Sequence, residues 1–326
     1  MTVAYFFAGG IALKAPGTEL YDAFPVMHEW IDRVAAWTDL PVARLLVEDF
    51  SGALSIGHTG APPDFRHVAE VRQVANALGI CDVLAERGVR PAAIGGSSLG
   101  FMIGACLAGA LGREELFDLL RFSSTLPRTV AGEPAQGFAT VVATDDELVG
   151  YSAWPDVFLA AELGRFAGGS AGVYMLSGYL DALHDLARSQ PEGKVTVVEV
   201  LGGAHNPRQQ FMLELRKPYL DGMKFADPAV PLFSGLSPRV ITTADQVYTD
   251  FLLNSTQFTS SSGVYAALAA QGTTLAVGPG VAGPLSKFGF PFTMVQVTGK
   301  AHFDLLAGTM ADLGLQRGYL LEGTRK

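Results

Sequence analysis

Short β-rich apolar runs alternate with stretches of helical apolar spacing along most of the chain, which is the pattern of an α/β protein. Val3 to Phe7 reads as a short buried strand followed by the flexible turn Ala8-Gly9-Gly10. Residues 64–88 carry Val68, Val71, Val74, Ala75, Leu78, Val83 and Leu84 at helical spacing, with Gly88 as a natural stop. Ala92 to Ile94 predicts the next strand, Leu99 to Leu111 the helix after it, and Arg113 to Arg121 another helix.

The rhythm changes between 129 and 199. Strands are expected at Gly137–Ala143, Asp156–Ala160, Ala171–Leu176 and Lys194–Leu201, with helices at Asp145–Val149 and Leu180–Arg188. The order strand-helix-strand-strand-helix-strand is that of a ferredoxin-like unit. The larger pattern then resumes with a helical Gln209 to Leu220, an apolar Val230 to Ser234, a helix over 244–253, and strands at Thr274–Val277 and Phe292–Val297. The expectation is an α/β-hydrolase-like large domain with a parallel sheet (1–128 and 200–326), interrupted by a small ferredoxin-like α+β subdomain (129–199).

Composition narrows the class. At 49% hydrophobic and 17% charged, the chain is no disordered polymer. A net charge of −9 without a basic run argues against nucleic acid as a partner. Cys81 and Cys106 are too few for a disulfide framework and fit a reducing cytoplasm. No basic region precedes the apolar start, so no signal peptide is expected. Ala92 to Gly112 has no charged residue and is long enough to span a bilayer, but Gly95, Gly96, Ser97, Ser98 and Gly100 break it. A strand, a tight turn and a buried helix account for it better, and no membrane span is expected.

That turn is the strongest chemical signal. Gly96-Ser97-Ser98-Leu99-Gly100 matches G-x-S-x-G between a strand and a helix. The glycines permit a sharp turn that lifts Ser98 out of the sheet as a nucleophile, and the backbone N–H of Leu99 becomes an oxyanion donor. A Gly/Ser-rich helix start without chemistry is the plainer reading of the pentapeptide alone. A serine also needs a base. His67 and His184 lie beside charges in helical stretches and read as solvated; nothing around His28 or His58 resembles a site. His205 sits in the loop Gly202–Pro207 after an apolar strand, and His302 is its rival, since Ser98, Asp250 and His302 follow the order of a hydrolase triad. The histidines are too scattered for a metal site, and no dinucleotide fingerprint is present.

Several segments together resemble the malonyl-CoA:acyl carrier protein transacylase family, which includes the acyltransferase domains of polyketide synthases. Phe7-Ala8-Gly9-Gly10 is similar to its F-P-G-Q-G, Ala92 to Gly109 to its strand, G-H-S-L-G-E elbow and helix, Gly202 to Pro207 to its G-A-F-H-S-P loop, and Val277-Gly278-Pro279-Gly280 with Leu285 to its late V-G-P-G segment. The inserted ferredoxin-like unit also fits. The resemblance covers nearly the whole chain and favours His205 over His302. It implies a Ser98–His205 dyad, an acyl-serine intermediate and transfer to the thiol of an acyl carrier protein. No bound cofactor is implied, since coenzyme A or a phosphopantetheine thioester is the substrate. In the family a backbone carbonyl orients the histidine, and Asn254-Ser255-Thr256 is where that contact is sought.

The departures bear on the acyl group. The family's His before the nucleophile is Ser97, and the Gln of F-P-G-Q-G is Gly10, leaving the N–H of Gly9 or Gly10 as the second oxyanion donor. The elbow's closing Glu is Phe101. The arginine that clamps a malonyl carboxylate falls on Ser123, and neither Arg121 nor Arg128 has the right helical phase to replace it. Ala204 replaces the bulky residue before the histidine and widens the pocket. The expectation is an uncharged acyl group larger than malonyl, in polyketide or related specialised metabolism such as antibiotic biosynthesis. An editing hydrolase with the same dyad, an esterase on Ser98 and His302, and an inactive carrier-binding module are the alternatives. An acidic carrier protein would need a local basic face on this acidic chain, for which Arg208, Arg216 and Lys217 are candidates, with Lys287 and Lys300 elsewhere; ordinary solvated charges are the plainer reading.

Overall fold

Thr2–Phe7 forms β1, and a six-stranded sheet assembles around it. The structure, a computed structural model, describes residues 2–54, 62–199, 201–280 and 287–315. His58 and Leu285, and residue 200 within the strand expected up to Leu201, lie outside these. After β1 come α1 (Glu19–Ala23), α2 (Pro25–Thr38), α3 (Val42–Leu46) and α4 (Phe65–Glu86), then β2 (Ala93–Gly96), α5 (Leu99–Leu107) and α6 (Arg113–Thr125). The middle of the chain contributes β3 (Gln136–Thr144), α7 (Asp145–Ser152), β4 (Val157–Arg165), β5 (Ala171–Tyr179), α8 (Leu180–Ser189) and β6 (Val195–Val198). The remainder is α9 (Gln210–Asp221), β7 (Leu232–Ser234), β8 (Ser237–Ile241), α10 (Ala244–Leu253), β9 (Thr259–Ser260), α11 (Ser261–Ala270), β10 (Thr273–Pro279), β11 (Thr293–Val297) and α12 (Ala301–Asp312).

The large sheet runs β11-β10-β1-β2-β7-β8, parallel throughout except for β8, an antiparallel strand at its edge. β1 is buried on both faces. Val3, Tyr5 and Phe7 point into the core formed with α2, α4 and α5, whereas Ala4 and Phe6 meet Val264, Tyr265 and Leu268 of α11. A central parallel strand covered by helices on both sides must be apolar at every position, which is why β1 reads as an unbroken run. In α4, Arg72 is buried and donates to the carbonyls of Ala12, Leu13, Arg44, Leu45 and Glu48. It thereby fastens the loop after β1, α3 and the residues just after α3 to α4.

The second sheet runs β6-β3-β5-β4-β9. β3, β4, β5 and β6 pair antiparallel, with α7 and α8 joining them in the element order read from the sequence. β9 belongs to the carboxy-terminal part of the chain and adds in parallel to β4 through Ala161–Thr259 and Glu162–Ser260. The sheet of β3 to β6 is therefore sewn to the carboxy-terminal part of the chain by backbone hydrogen bonds. Elements α1 to α3, β8, β9, α11 and α12 were not expected, and α5 stops at Leu107 rather than Leu111. No helix among the described residues is long and apolar enough to cross a membrane. Nor, among those residues, can any group of three or more His, Cys, Asp or Glu hold a metal ion.

Candidate active site

Ser97 and Ser98 form the turn between β2 and α5. Ser98 holds φ 55° and ψ −124°, a region that favours glycine, so the turn is kept there by its surroundings. The flanking glycines show how closely. A methyl group on Gly96 would come within 2.4 Å of the Gly100 carbonyl oxygen, and one on Gly100 within 2.1 Å of the Phe7 oxygen. Only hydrogen fits where the elbow presses on the end of β1. Leu99 N–H at the start of α5 and Gly10 N–H in the turn after β1 make no hydrogen bond among the described residues. Gly9 differs from the expectation: its N–H donates to Ser97 Oγ (3.2 Å), which in turn lies 3.1 Å from Ser261 Oγ. Of the two candidates for second oxyanion donor, Gly10 is the free one.

His205 approaches from the other sheet. It too has a left-handed backbone (φ 56°), with its N–H donated to the Ser255 carbonyl at 2.6 Å. Its Nε2 is 2.8 Å from Ser98 Oγ and its Nδ1 is 3.1 Å from the carbonyl oxygen of Gln257. A carbonyl only accepts, so Nδ1 carries the proton and Nε2 is left to accept the Ser98 hydroxyl. Burial pulls the imidazole pKa down to about 4, the positive Arg216 helps, and the Gln257 carbonyl opposes. At neutral pH the ring is an unprotonated base. Next to it, Asn206 donates to Ser177 Oγ (2.7 Å) and Gln136 Oε1 (3.3 Å) and accepts from Arg208 N–H (2.9 Å), fixing the loop to β3 and β5.

The orienting carbonyl sits at Gln257, one residue beyond the stretch in which it was sought. The rival triad is not assembled. His302 lies in α12, where its Nδ1 accepts from Thr298 N–H at 3.2 Å, and Asp250 is buried beside Arg239 at 3.6 Å. His184 pairs with Glu199 (2.9 Å) and His28 stacks on Tyr21. His67, expected in solvent, is half-buried, its Nδ1 has no hydrogen-bond partner among the described residues, and burial lowers its pKa.

A cavity of about 330 Å³ opens over the dyad. Gly9, Gly10, Ser97, Leu99, Ser123 and Ala204, all singled out from the sequence, line it with Ser98 and His205. Two expectations fail here. Arg128 follows the end of α6 rather than continuing it, so helical phase does not govern it, and it reaches the cavity; Arg121 is exposed and bonded to Asp118. Arg216 lies on the cavity wall, not on an outer docking face. Of its companions, Arg208 is bonded to Asp156 and Tyr179, and exposed Lys217 is paired with Asp221. These three residues do not form a free basic surface. The case for an uncharged acyl group assumed a cavity without a cation, and Arg66, Arg128 and Arg216 remove that premise.

No family model matches the chain. Over 151 residues it is 30% identical to hispidin synthase of Neonothopanus nambi, a match that spans 45% of this chain and 9% of that protein. Three solved structures that it resembles are distant in sequence. A malonyl-CoA:acyl carrier protein transacylase from Xanthomonas oryzae is 20% identical at a TM-score of 0.77, covering 95% of this chain and 98% of that one. A malonyl-transacylase in complex with its type II polyketide synthase acyl-carrier protein is 14% identical at 0.76, covering 95% and 100%. The acyltransferase domain from the second module of the salinomycin polyketide synthase is 23% identical at 0.73, covering 98% and 74%. This chain therefore has the fold of the malonyl-CoA:acyl carrier protein transacylases and of polyketide synthase acyltransferase domains.

Proposed function

We propose that the chain is an acyltransferase that passes an acyl group from a coenzyme A or carrier-protein thioester to the phosphopantetheine thiol of an acyl carrier protein. The scaffold is read as an α/β-hydrolase-like domain with an inserted ferredoxin-like unit, working in the cytoplasm without a bound cofactor. The observation that carries the proposal is the 2.8 Å contact of Ser98 Oγ with His205 Nε2, backed by the Gln257 carbonyl on Nδ1.

Ser98 Oγ attacks the thioester carbonyl as His205 Nε2 takes its proton. The oxyanion that forms is met by the N–H groups of Leu99 and Gly10, at the positive end of α5. Collapse breaks the carbon–sulfur bond, His205 returns the proton to the departing sulfur, and acyl-Ser98 remains. The incoming pantetheine thiol then gives its proton to His205, attacks the ester, and leaves as the new thioester while Ser98 recovers its hydrogen.

Ser123 and Ala204 in place of larger side chains support an acyl group bigger than malonyl. The likeness to a polyketide acyltransferase domain and to part of hispidin synthase supports a role in polyketide or related specialised metabolism. The carrier protein bound to a transacylase of this fold supports the partner. Intact-protein mass spectrometry with a panel of acyl thioesters tests the reading. The wild type gains one acyl mass and loses it to holo carrier protein. Release of that mass only as free acid would contradict transfer and leave an editing hydrolase.

A further inference from the structure

The cavity holds more positive charge than its walls neutralise. Arg66, Arg128, Arg216 and Glu70 all line it. Glu70 is already engaged, since Arg66 Nε donates to its Oε1 at 2.9 Å while another Arg66 N–H reaches the Leu201 carbonyl. Glu162, the other carboxylate on the wall, is held by Arg165 and Ser260. Arg128 and Arg216 make no hydrogen bond or ion pair among the described residues, and Arg216 Nε is sealed from solvent without a partner.

Guanidinium groups do not give up their protons in proteins, even where burial brings Arg128 down to about 10 and lowers Arg216 as well. Two half-buried guanidinium groups without hydrogen-bond acceptors are costly, the more so beside the apolar part of the wall formed by Ile11, Met102, Leu119, Leu120 and Met212. An anion relieves that cost. Gln209, the N-cap of α9, and Met212 and Arg216 within it lie at helical spacing and all line the cavity, so Arg216 is directed inward by α9.

Resting on the acyltransferase reading, we propose that Arg216 and Arg128 bind a carboxylate at the far end of the acyl chain. The cavity then takes dicarboxylic acyl thioesters longer than malonyl. The planar fork of a guanidinium matches a carboxylate's two oxygens. A donor phosphate is the other possible anion, but it lies a whole pantetheine arm from the thioester. Arg216, by contrast, is close enough for His205 to feel its charge.

The test pairs acyl groups of equal length with and without a terminal carboxylate: glutaryl against pentanoyl, adipyl against hexanoyl, with malonyl alongside. Each is offered as the coenzyme A thioester and as the phosphate-free N-acetylcysteamine thioester, and kcat/KM for acyl-Ser98 formation is read by mass. The wild type should prefer the carboxylated member by roughly tenfold or more with both donors, and glutaryl or adipyl over malonyl. Arg216→Gln and, separately, Arg128→Gln should remove that preference, and Arg216→Lys should keep part of it. Equal use of paired acyl groups, malonyl as the best substrate, or variants that slow both members alike would overturn the inference while leaving the acyltransferase in place. A loss confined to coenzyme A donors, whatever the acyl group, would assign the anion to the phosphate instead. No acyl-Ser98 from any thioester would remove both readings.

Discussion

His205 combines deep burial with a neutral resting state, and the two are cause and effect. An imidazole held at a pKa of about 4 is ready to take a proton from Ser98 without first losing one at neutral pH. The same shift links folding to pH. The unfolded histidine protonates near 6.5 and the folded one only near 4, so the unfolded state binds more protons between those values. The stability His205 contributes is complete above about pH 6.5 and falls as pH drops toward 4. Melting temperatures from pH 7.5 to 4.5 should therefore decline more steeply in the wild type than in His205→Gln, and parallel curves would contradict the assignment. At this scale the contact between Ser98 and His205 was legible because glycine-flanked serine and loop histidine leave a signature in side-chain type and order. Gln257 was not, because it acts through a backbone carbonyl that any residue carries. Arg128 was misread because the phase argument ran the helix past Thr125, its last residue.

Long periodic elements such as α4 and the strands β1, β3 and β5 were visible within a few residues. The first helices were not: α1 and α3 have five residues each, too few turns for an apolar stripe to show. β9 has two residues, β8 is largely exposed, and α11 is small and apolar around much of its circumference, so none carries a clear period. What fastens α3 and the loops beside it is a charged side chain that sequence pattern treats as surface. Arg72→Met should take a donor from five carbonyls, of which Leu13's keeps the Phe50 N–H, and cost roughly 3 kcal/mol or more, since each stranded buried group costs about 1–3. Urea unfolding would measure it, and an unchanged midpoint would show that these loops are held by packing alone.

Across the whole molecule the site is a seam. Ser98 comes from the six-stranded sheet, His205 from the segment leaving β6, and Gln257 from the stretch just before β9 joins β4. The mixed α/β pattern was readable, but the β4–β9 stitch was not, because a two-residue strand pairs through backbone alone. Alignment of the dyad then depends on groups that touch no substrate. Asn206, fully buried, ties the histidine loop to Ser177 and Gln136. Asn206→Ala should slow acylation by about 10²-fold, the scale expected from an ångström of misplacement, with the loss in kcat rather than KM. Wild-type kinetics in that variant would show that Gln257 and Ser255 suffice to hold the ring.

The most direct measurement weighs the intact protein after exposure to an acyl thioester, in the wild type, Ser98→Ala and His205→Ala. The wild type should gain a single acyl adduct that holo carrier protein discharges. Ser98→Ala should gain none, and His205→Ala should acylate roughly 10²–10⁴-fold more slowly. An unmodified wild type, or the same adduct persisting without Ser98, would rule out acyl transfer through Ser98.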